Sequence, residues 1–180
     1  QLAPPCEGKL QPTKAALCEC LVEGATVGAC EPSHVKLPLG EIWSAEHPEY
    51  TRTYLVSRES GGFRPILDLG EPATVGDQFI TGKVSKAGGK SYLAVELKSE
   101  SRMGGDEYLE EEVVMLCQVP LATCTVVLKT ASHATTVTDN KPSPEASWAT
   151  AYKLDDAGIV TVSRTKGKPP AAVLTTQRLW

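Results

Sequence analysis

Aromatic residues are scarce in this sequence, at 6% of the 180 residues, and Phe63 and Phe79 are its only phenylalanines. Hydrophobic residues nevertheless make up 41% of the chain, which is enough apolar material for a core and argues against wholesale disorder. Because valine, leucine, isoleucine and alanine must then form most of that core, the composition favours thin β layers over a large ligand cavity.

Long apolar runs are also missing. No stretch of about 18 apolar residues occurs, so the sequence predicts no membrane insertion. The only asparagine, Asn140, is followed by Lys141 and Pro142, which excludes an N-glycosylation sequon. Because the chain begins at Gln1 rather than at methionine, we expect a processed, secreted product from which a signal peptide has been removed.

Cysteine is absent from the last 56 residues, and the six cysteines form an even set: Cys6, Cys18, Cys20, Cys30, Cys117 and Cys124. In a secreted protein such a set predicts three disulfides. A metal site is the alternative, but Cys18-Glu19-Cys20 lacks the two-residue spacer of zinc knuckles, and only His34 lies near a cysteine. We therefore predict disulfides, no metal and no cofactor.

Charge and composition divide the chain near residue 118. Residues 1–118 hold 11 basic and 18 acidic residues, a net charge of −7, whereas residues 119–180 hold 7 and 4, a net charge of +3. Valine, isoleucine and threonine fill 17 of the 56 positions in 125–180, which is typical of β structure. We expect two domains, 1–118 and 119–180, with one β-sandwich as the alternative.

The first half opens with a single clear helix signal, over about residues 13–23, between Thr13 and Gly24. Cys18 and Cys20 are two residues apart on this helix and point about 200° away from each other, so they cannot pair together. We expect disulfides to hold the helix on two sides, one to Cys6 or Cys30 and the other to Cys117 or Cys124.

Glycine-rich turns separate the remaining segments into short strands. About five strands are predicted in the first half, with hairpin turns at 60–62 and 87–90. In the second half, strands spaced about 12 residues apart fit a small sandwich or barrel. The predicted fold class is mainly β with one N-terminal helix: a disulfide-stapled helix-plus-strands N-domain, followed by a small β-sandwich or barrel C-domain.

Catalytic motifs are absent from the sequence. His34, His47 and His133 lie far apart and are interpreted as surface residues, and no G-x-S-x-G nucleophile turn occurs. Acidic residues cluster at 106–107 and 110–112, but a glycosidase needs two carboxylates across a sugar cleft that is usually walled with aromatic residues. We interpret the acidic run as a solvated strand entrance, and predict no catalytic residues and no enzymatic activity.

The basic residues of the second half are explained by ordinary solubility. A nucleic-acid site requires more positive charge and interleaved aromatic residues than this set offers, so no nucleic-acid partner is predicted. The set consists of Lys153, Arg164, Lys166, Lys168 and Arg178.

The order of these segments resembles the Fol dual-domain effectors that wilt-causing fungi secrete into plant vascular tissue. A helix carries cysteines, a β module is stapled to it, and a cysteine-free β-rich module follows. The resemblance implies a secreted, non-enzymatic virulence factor that interacts with host proteins and, as some members do, is detected by a plant immune receptor. It implies an extracellular location in the apoplast or xylem and leaves later uptake into host cells open. We further expect a monomer.

Other functions are open as alternatives. Gly40-Glu41-Ile42-Trp43 is similar to the glycine-and-tryptophan signature of lipocalins, which indicates a small-ligand carrier. Disulfides around a short protruding loop would favour a protease inhibitor instead. A secreted hydrolase would require a pocket that brings one of the histidines together with two carboxylates.

Overall fold

A computed structural model describes residue 6 and residues 8–22, 30–48, 50–70, 79–104, 107–119, 124–138, 141–142 and 146–180. Within these ranges the chain forms one α-helix, near the N-terminus, and twelve strands in two separate sheets. This confirms the predicted fold class, mainly β with one N-terminal helix. The chain divides into two compact units, residues 1–72 with 118–124, and residues 73–117 with 125–180.

The first unit contains a helix and a four-stranded antiparallel sheet in which neighbours in sequence are neighbours in space. Thr13 is the N-cap of the helix, and its hydroxyl accepts a hydrogen bond of 3.1 Å from the amide of Ala16. The elements are α1 Lys14–Leu21, β1 Cys30–Leu37, β2 Gly40–His47, β3 Tyr50–Glu59 and β4 Gly62–Gly70.

Two disulfides hold α1 on opposite sides, as the C-x-C spacing predicts. Cys18 is bonded to Cys30 at the start of β1, and Cys20 is bonded to Cys6 in the segment before the helix. The predicted link from the helix to Cys117 or Cys124 is therefore wrong, because both helix cysteines pair with cysteines near them in sequence. Cys117 is also disulfide-bonded, and the side chain of Cys124 lies outside the described residues.

One face of the four-stranded sheet packs against α1 and forms the core of the first unit. Trp43 and Tyr54 are its largest buried side chains, and Phe63 lies edge-on to Trp43 with 5.4 Å between the ring centroids. The buried members of this core are Leu17, Cys18, Leu21, Val22, Cys30, Trp43, Ala45, Tyr54 and Val56.

The segment before the helix covers one end of the outer strand β4. Gln11 and Phe63 exchange two backbone hydrogen bonds, of 2.7 and 2.8 Å, which gives this part of the edge strand a partner. Gly62 permits the close approach, because its φ of 139° suits glycine and a Cβ there would collide with the carbonyl of Gln11.

The second unit contains the larger, eight-stranded sheet, with strand order β12-β11-β10-β8-β7-β6-β5 and with β9 paired to the end of β8. Its strands therefore also follow one another in space in the order of the sequence. The elements are β5 Phe79–Ala87, β6 Lys90–Gly104, β7 Glu107–Gln118, β8 Cys124–Thr138, β9 Lys141–Pro142, β10 Ala146–Leu154, β11 Ile159–Lys166 and β12 Thr176–Arg178.

The chain does not pass from one sheet to the other at 118/119, the predicted domain boundary. Strands β5 to β7 come from the acidic first half, yet they pair with the β-rich second half, so the change of sheet falls between Gly70 and Phe79. A short connection between successive strands favours antiparallel pairing, whatever the net charge on either side. The described residues up to 118 form seven strands, rather than the five or so that are predicted.

The larger sheet coils around its own core. In its strand order β6 and β10 are three positions apart, which is about 14 Å in a flat sheet. The amide of Gly88 in the β5–β6 turn nevertheless donates a hydrogen bond of 2.9 Å to a carboxylate oxygen of Asp156 in the β10–β11 turn. The ammonium of Lys90 also lies 5.2 Å from the ring centroid of Trp180, beyond β12. Such curvature is what a small sandwich or barrel requires.

The enclosed core of the second unit is aliphatic, with aromatic residues at its margin. Its buried members are Ala94, Val114, Leu116, Val126, Leu128, Val160, Val162 and Leu179, and the partly buried side chains packed against them are Tyr92, Tyr152, Leu154 and Trp180.

Candidate functional site

An open cleft of about 600 Å³ lies in the second unit, where β6, β7, β8, β10 and the end of β11 come together. A smaller recess of about 300 Å³ adjoins it and shares Glu112, Ala131 and Ala149 with its lining. Volumes of a few hundred cubic ångströms are typical of ligand-binding sites. We call the two together the β6–β10 cleft.

The cleft continues the face of β6 and β7 that carries the core. Alternate residues of a strand share a face, so Ala94, which is buried in the core, is followed on that face by Glu96, Lys98 and Glu100. On β7 the buried Val114 is preceded in the same way by Glu112 and Glu110. β6 and β7 are 15 and 12 residues long, so they extend past the core and carry charged side chains into the cleft.

The carboxylates of the cleft outnumber its cations. Lys98 pairs with Glu112, with 3.6 Å between Nζ and Oε1, and Lys129 pairs with Glu111. Among the residues that the structure describes, no lysine or arginine lies within ion-pair distance of Glu96, Glu100 or Glu110.

Two of these carboxylates, Glu100 and Glu110, line the cleft from adjacent strands. The Lys98–Glu112 ion pair joins β6 to β7, the adjacent strand of the sheet, which follows the connection at 105–106. Glu100 and Glu110 each lie two residues closer to that connection, on the same face as the ion pair. Like charges on one face of adjacent strands repel, so a cation bound near both carboxylates would relieve that repulsion.

Aromatic side chains line the other wall of the cleft. Trp148 on β10 lines the larger cleft, and Tyr152 on the same strand lines the recess beside Glu96. Partial burial raises the pKa of Tyr152 to about 12, and the nearby Tyr92 hydroxyl and the Glu96 carboxylate act in the same direction. The phenol of Tyr152 is therefore neutral and able to donate a hydrogen bond at physiological pH.

Of the three histidines, only His133 is known to line the cleft. Its Nε2 lies 3.1 Å from the hydroxyl of Thr135, and both side chains are half-buried. His47 lies on β2 in the other unit, and the side chain of His34 is outside the described residues. The structure thus brings one histidine and several carboxylates into one cleft, as the hydrolase alternative requires.

The lipocalin-like segment belongs to the other sheet. Gly40 and Trp43 lie on β2, and Trp43 is buried against α1 with its indole N–H donating a hydrogen bond of 3.2 Å to Glu41. The tryptophan therefore has a packing role in the first unit, and the segment takes no part in the cleft of the eight-stranded sheet.

The acidic run at 110–112 lies near the start of β7, three residues after the strand begins at Glu107, and it also forms part of the cleft. The predicted basic set contributes Lys166, from the end of β11. Sequence reasoning missed Lys98, Glu100 and Trp148, since these residues come together only when β10 packs near β6. The available signal was the alternation along β6, which puts Glu96, Lys98 and Glu100 on one face of the strand.

The described residues contain neither a metal-binding cluster nor a membrane-spanning helix. In the described part of the chain, no group of three or more histidine, cysteine, aspartate or glutamate side chains is arranged to hold a metal ion. The one described helix is too short and too polar to cross a membrane.

No protein-family model, curated protein or solved structure matches this chain. The resemblance to the Fol dual-domain effectors accordingly stays a prediction, and so do the absence of catalytic residues, of a cofactor and of a nucleic-acid partner.

Proposed function

We propose that the protein is a secreted interaction protein of the effector type, which binds a host protein through the β6–β10 cleft and is recognised by a plant immune receptor. The cleft carries this proposal. Two long strands extend past the core to line an open concave surface, where charged side chains and a tryptophan are free to contact a partner. We assign it no catalysis, cofactor, metal or nucleic acid.

The two helix disulfides support a role outside the cell. Disulfides persist in oxidising compartments such as the extracellular space, and both described bonds stabilise a small unit with one helix and four strands. They close loops of 14 and 12 residues, each of which contributes about 3 kcal/mol in the chain-entropy description. A secreted protein in the apoplast or xylem benefits from such resistance to unfolding.

Expression in leaves together with candidate immune receptors tests the proposal. We expect cell death with at least one receptor, and reduced virulence when the gene is deleted from the organism that makes the protein. A matched variant with the cleft carboxylates neutralised, Glu100→Gln with Glu110→Gln, separates binding through the cleft from recognition of another surface. No response with any receptor, together with unchanged virulence, would overturn the proposal.

The position of His133 favours a hydrolase as the second candidate. His133, Glu110 and Glu112 line one cleft, so a general acid and a general base are available there in principle. Assays against chromogenic glycosides, esters and peptides decide this directly. Activity that is lost in His133→Ala and in Glu112→Gln would establish the hydrolase, whereas activity that survives both substitutions would remove it.

A protease inhibitor and a small-ligand carrier are tested in the same preparation. Titration against a protease panel should show saturation at one-to-one for a true inhibitor. A lipocalin-like carrier should instead raise the fluorescence of an apolar dye on binding it.

A further inference from the structure

We infer that the β6–β10 cleft binds the basic side chains of an extended segment of a partner protein, with arginine preferred over lysine. The inference rests on the proposed function in one respect, the identity of the ligand as a polypeptide. The preference for a cation follows from the side chains of the cleft alone.

Electrostatics is the first reason. Lys98 and Glu112 neutralise each other, and in the described residues Glu96, Glu100 and Glu110 have no cationic partner, so the open surface carries an excess of negative charge. Lys166 is the other cation in the lining. A cleft with one sign of charge attracts ligands of the other sign and orients them on approach.

The carboxylates of Glu100 and Glu110, on adjacent strands of one cleft, favour a planar, multidentate cation. The guanidinium of arginine presents donors in a fixed fork and can serve two carboxylates at once, whereas an ammonium ion is a single point charge. Binding of such a group between the two carboxylates also removes their mutual repulsion.

Trp148 adds a second type of contact. Guanidinium groups stack on indole rings, and such contacts contribute more as the site becomes desolvated. Because Trp148 lines the same cleft as Glu100 and Glu110, an arginine held by the carboxylates has an aromatic surface within the site. Simple anion or apolar ligands would use only part of this lining.

The spacing of the carboxylates along β6 sets the spacing of the ligand. Glu96 and Glu100 are four residues apart on one face, a distance of about 13 Å along a strand. An extended peptide has the same repeat, so two arginines four residues apart would reach Glu96 and the Glu100–Glu110 pair together. The structure therefore favours an R-x-x-x-R segment in extended form.

The test is an NMR titration of the full chain with a capped nonapeptide of glycine and serine that carries arginine at positions 3 and 7. Matched peptides carry citrulline, the neutral isostere, at the same positions, or arginine at positions 3 and 4. The indole N–H signal of Trp148, assigned by loss in Trp148→Phe, reports on the cleft. Each titration is run in low salt and in physiological salt, because an electrostatic site weakens as salt is added.

We expect the 3,7-arginine peptide to bind at least about 10-fold more tightly than the citrulline peptide, and several-fold more tightly than the 3,4-arginine peptide. Glu100→Gln with Glu110→Gln should reduce the affinity by about 10-fold, and Trp148→Ala by about 5-fold. Glu19→Gln with Glu46→Gln, two exposed carboxylates of the first unit, makes the same change in net charge and should have little effect.

Equal affinity for the arginine and citrulline peptides, or equal loss in both double variants, would overturn the inference. Saturable binding of a neutral oligosaccharide with no dependence on salt would also overturn it and would indicate a glycan site. The leaf assay keeps the two proposals apart. Arginine binding without any plant response contradicts the effector role alone, whereas a plant response without arginine binding contradicts only the ligand assigned to the cleft.

Discussion

The phenol of Tyr54 on β3 donates a hydrogen bond of 3.0 Å to the carbonyl of Leu21 at the last residue of α1. Both residues are buried, and they are 33 positions apart in sequence. The last carbonyls of a helix have no partner within the helix, so this contact both satisfies one of them and fixes the end of α1 on the sheet.

Removal of that hydroxyl should destabilise the first unit. In Tyr54→Phe the ring still packs, but the carbonyl of Leu21 is left buried, and we expect a loss of about 1–2 kcal/mol in the free energy of unfolding. Urea denaturation followed by tryptophan fluorescence measures the change. A loss smaller than about 0.3 kcal/mol would mean that water replaces the hydroxyl and that the bond does not hold the helix end.

The ion pair between Arg52 and Asp68 is largely buried, and it can be compared with the more exposed pair between Arg58 and Glu41. Asp68 is 4% exposed, accepts two hydrogen bonds from Arg52, of 2.6 and 3.3 Å, and accepts another from the amide of Gly70. Arg52→Met leaves this carboxylate without its counter-charge, and should cost about 3 kcal/mol.

The matched control for that variant is Arg58→Met. Arg58 pairs with Glu41 at 3.4 Å, and its side chain is 65% exposed, so the loss should be below about 1 kcal/mol. The guanidinium of Arg58 also lies 5.3 Å from the ring centroid of Phe63. Because this cation–π contact is exposed, its loss should also cost no more than about 1 kcal/mol. Similar losses in the two variants, measured by denaturation, would contradict the role given to burial.

The two helix disulfides should differ in their reactivity towards reductant. Cys18 and Cys30 are fully buried, whereas Cys6 and Cys20 are both partly exposed. Reduction requires access of the attacking thiolate to a sulfur atom, so mild dithiothreitol should open Cys6–Cys20 first, with Cys18–Cys30 reduced only when the unit unfolds.

Alkylation of the reduced protein and mass spectrometry of its peptides give the order of reduction. The variant Cys6→Ala with Cys20→Ala should still fold, with Cys18–Cys30 intact. If Cys18–Cys30 were reduced before Cys6–Cys20 under native conditions, burial would not control the access of the thiolate to the two disulfides.

The raised pKa of Tyr152 predicts a loss of folding stability at high pH. Its pKa in the folded protein is about 12, above the ordinary value of 10, so the folded state holds this proton more tightly than the unfolded state. The corresponding stability is fully present below pH 10 and is lost as the pH rises towards 12. Tyr152→Phe removes this component and should flatten the fall in stability over that window.

Difference absorbance between the wild type and Tyr152→Phe isolates the titration of this single phenol, with circular dichroism as the check that the fold is intact. A midpoint near 10 would contradict the partial burial of Tyr152 beside Tyr92 and Glu96. A bound cationic peptide should lower the midpoint, because a positive charge favours the phenolate.

Local signals were sufficient for several parts of the fold. Thr13 marks the start of the helix because N-cap chemistry acts within one turn, and the glycines at 60–62 and 87–90 predict the two turns. The exclusion of a Cys18–Cys20 bond likewise needed only the geometry of the helix. That geometry does not specify the partners, and the expected link from the helix to Cys117 or Cys124 is wrong.

Long-range features were not predictable in the same way. The change in charge near residue 118 does not coincide with a change of sheet, because β7 and β8 are joined by only a few residues and pair regardless of their charge. β12 is confined to Thr176–Arg178, and a short 3-10 helix at Ala171–Val173 precedes it. The cleft depends on the coiling that carries Trp148 towards β6, and no local pattern specifies that curvature.

Because β6 and β7 extend past the core, the residues that stabilise the second unit are different from the residues that line its cleft. On one face of β6, Ala94 belongs to the core, while Glu96 and Glu100 lie beyond it in the cleft and are exposed. Substitutions at the cleft positions therefore cost little folding free energy, although they alter the charge that a partner meets. A protein under pressure from a changing partner would be able to revise these few positions quickly, with its scaffold inherited intact.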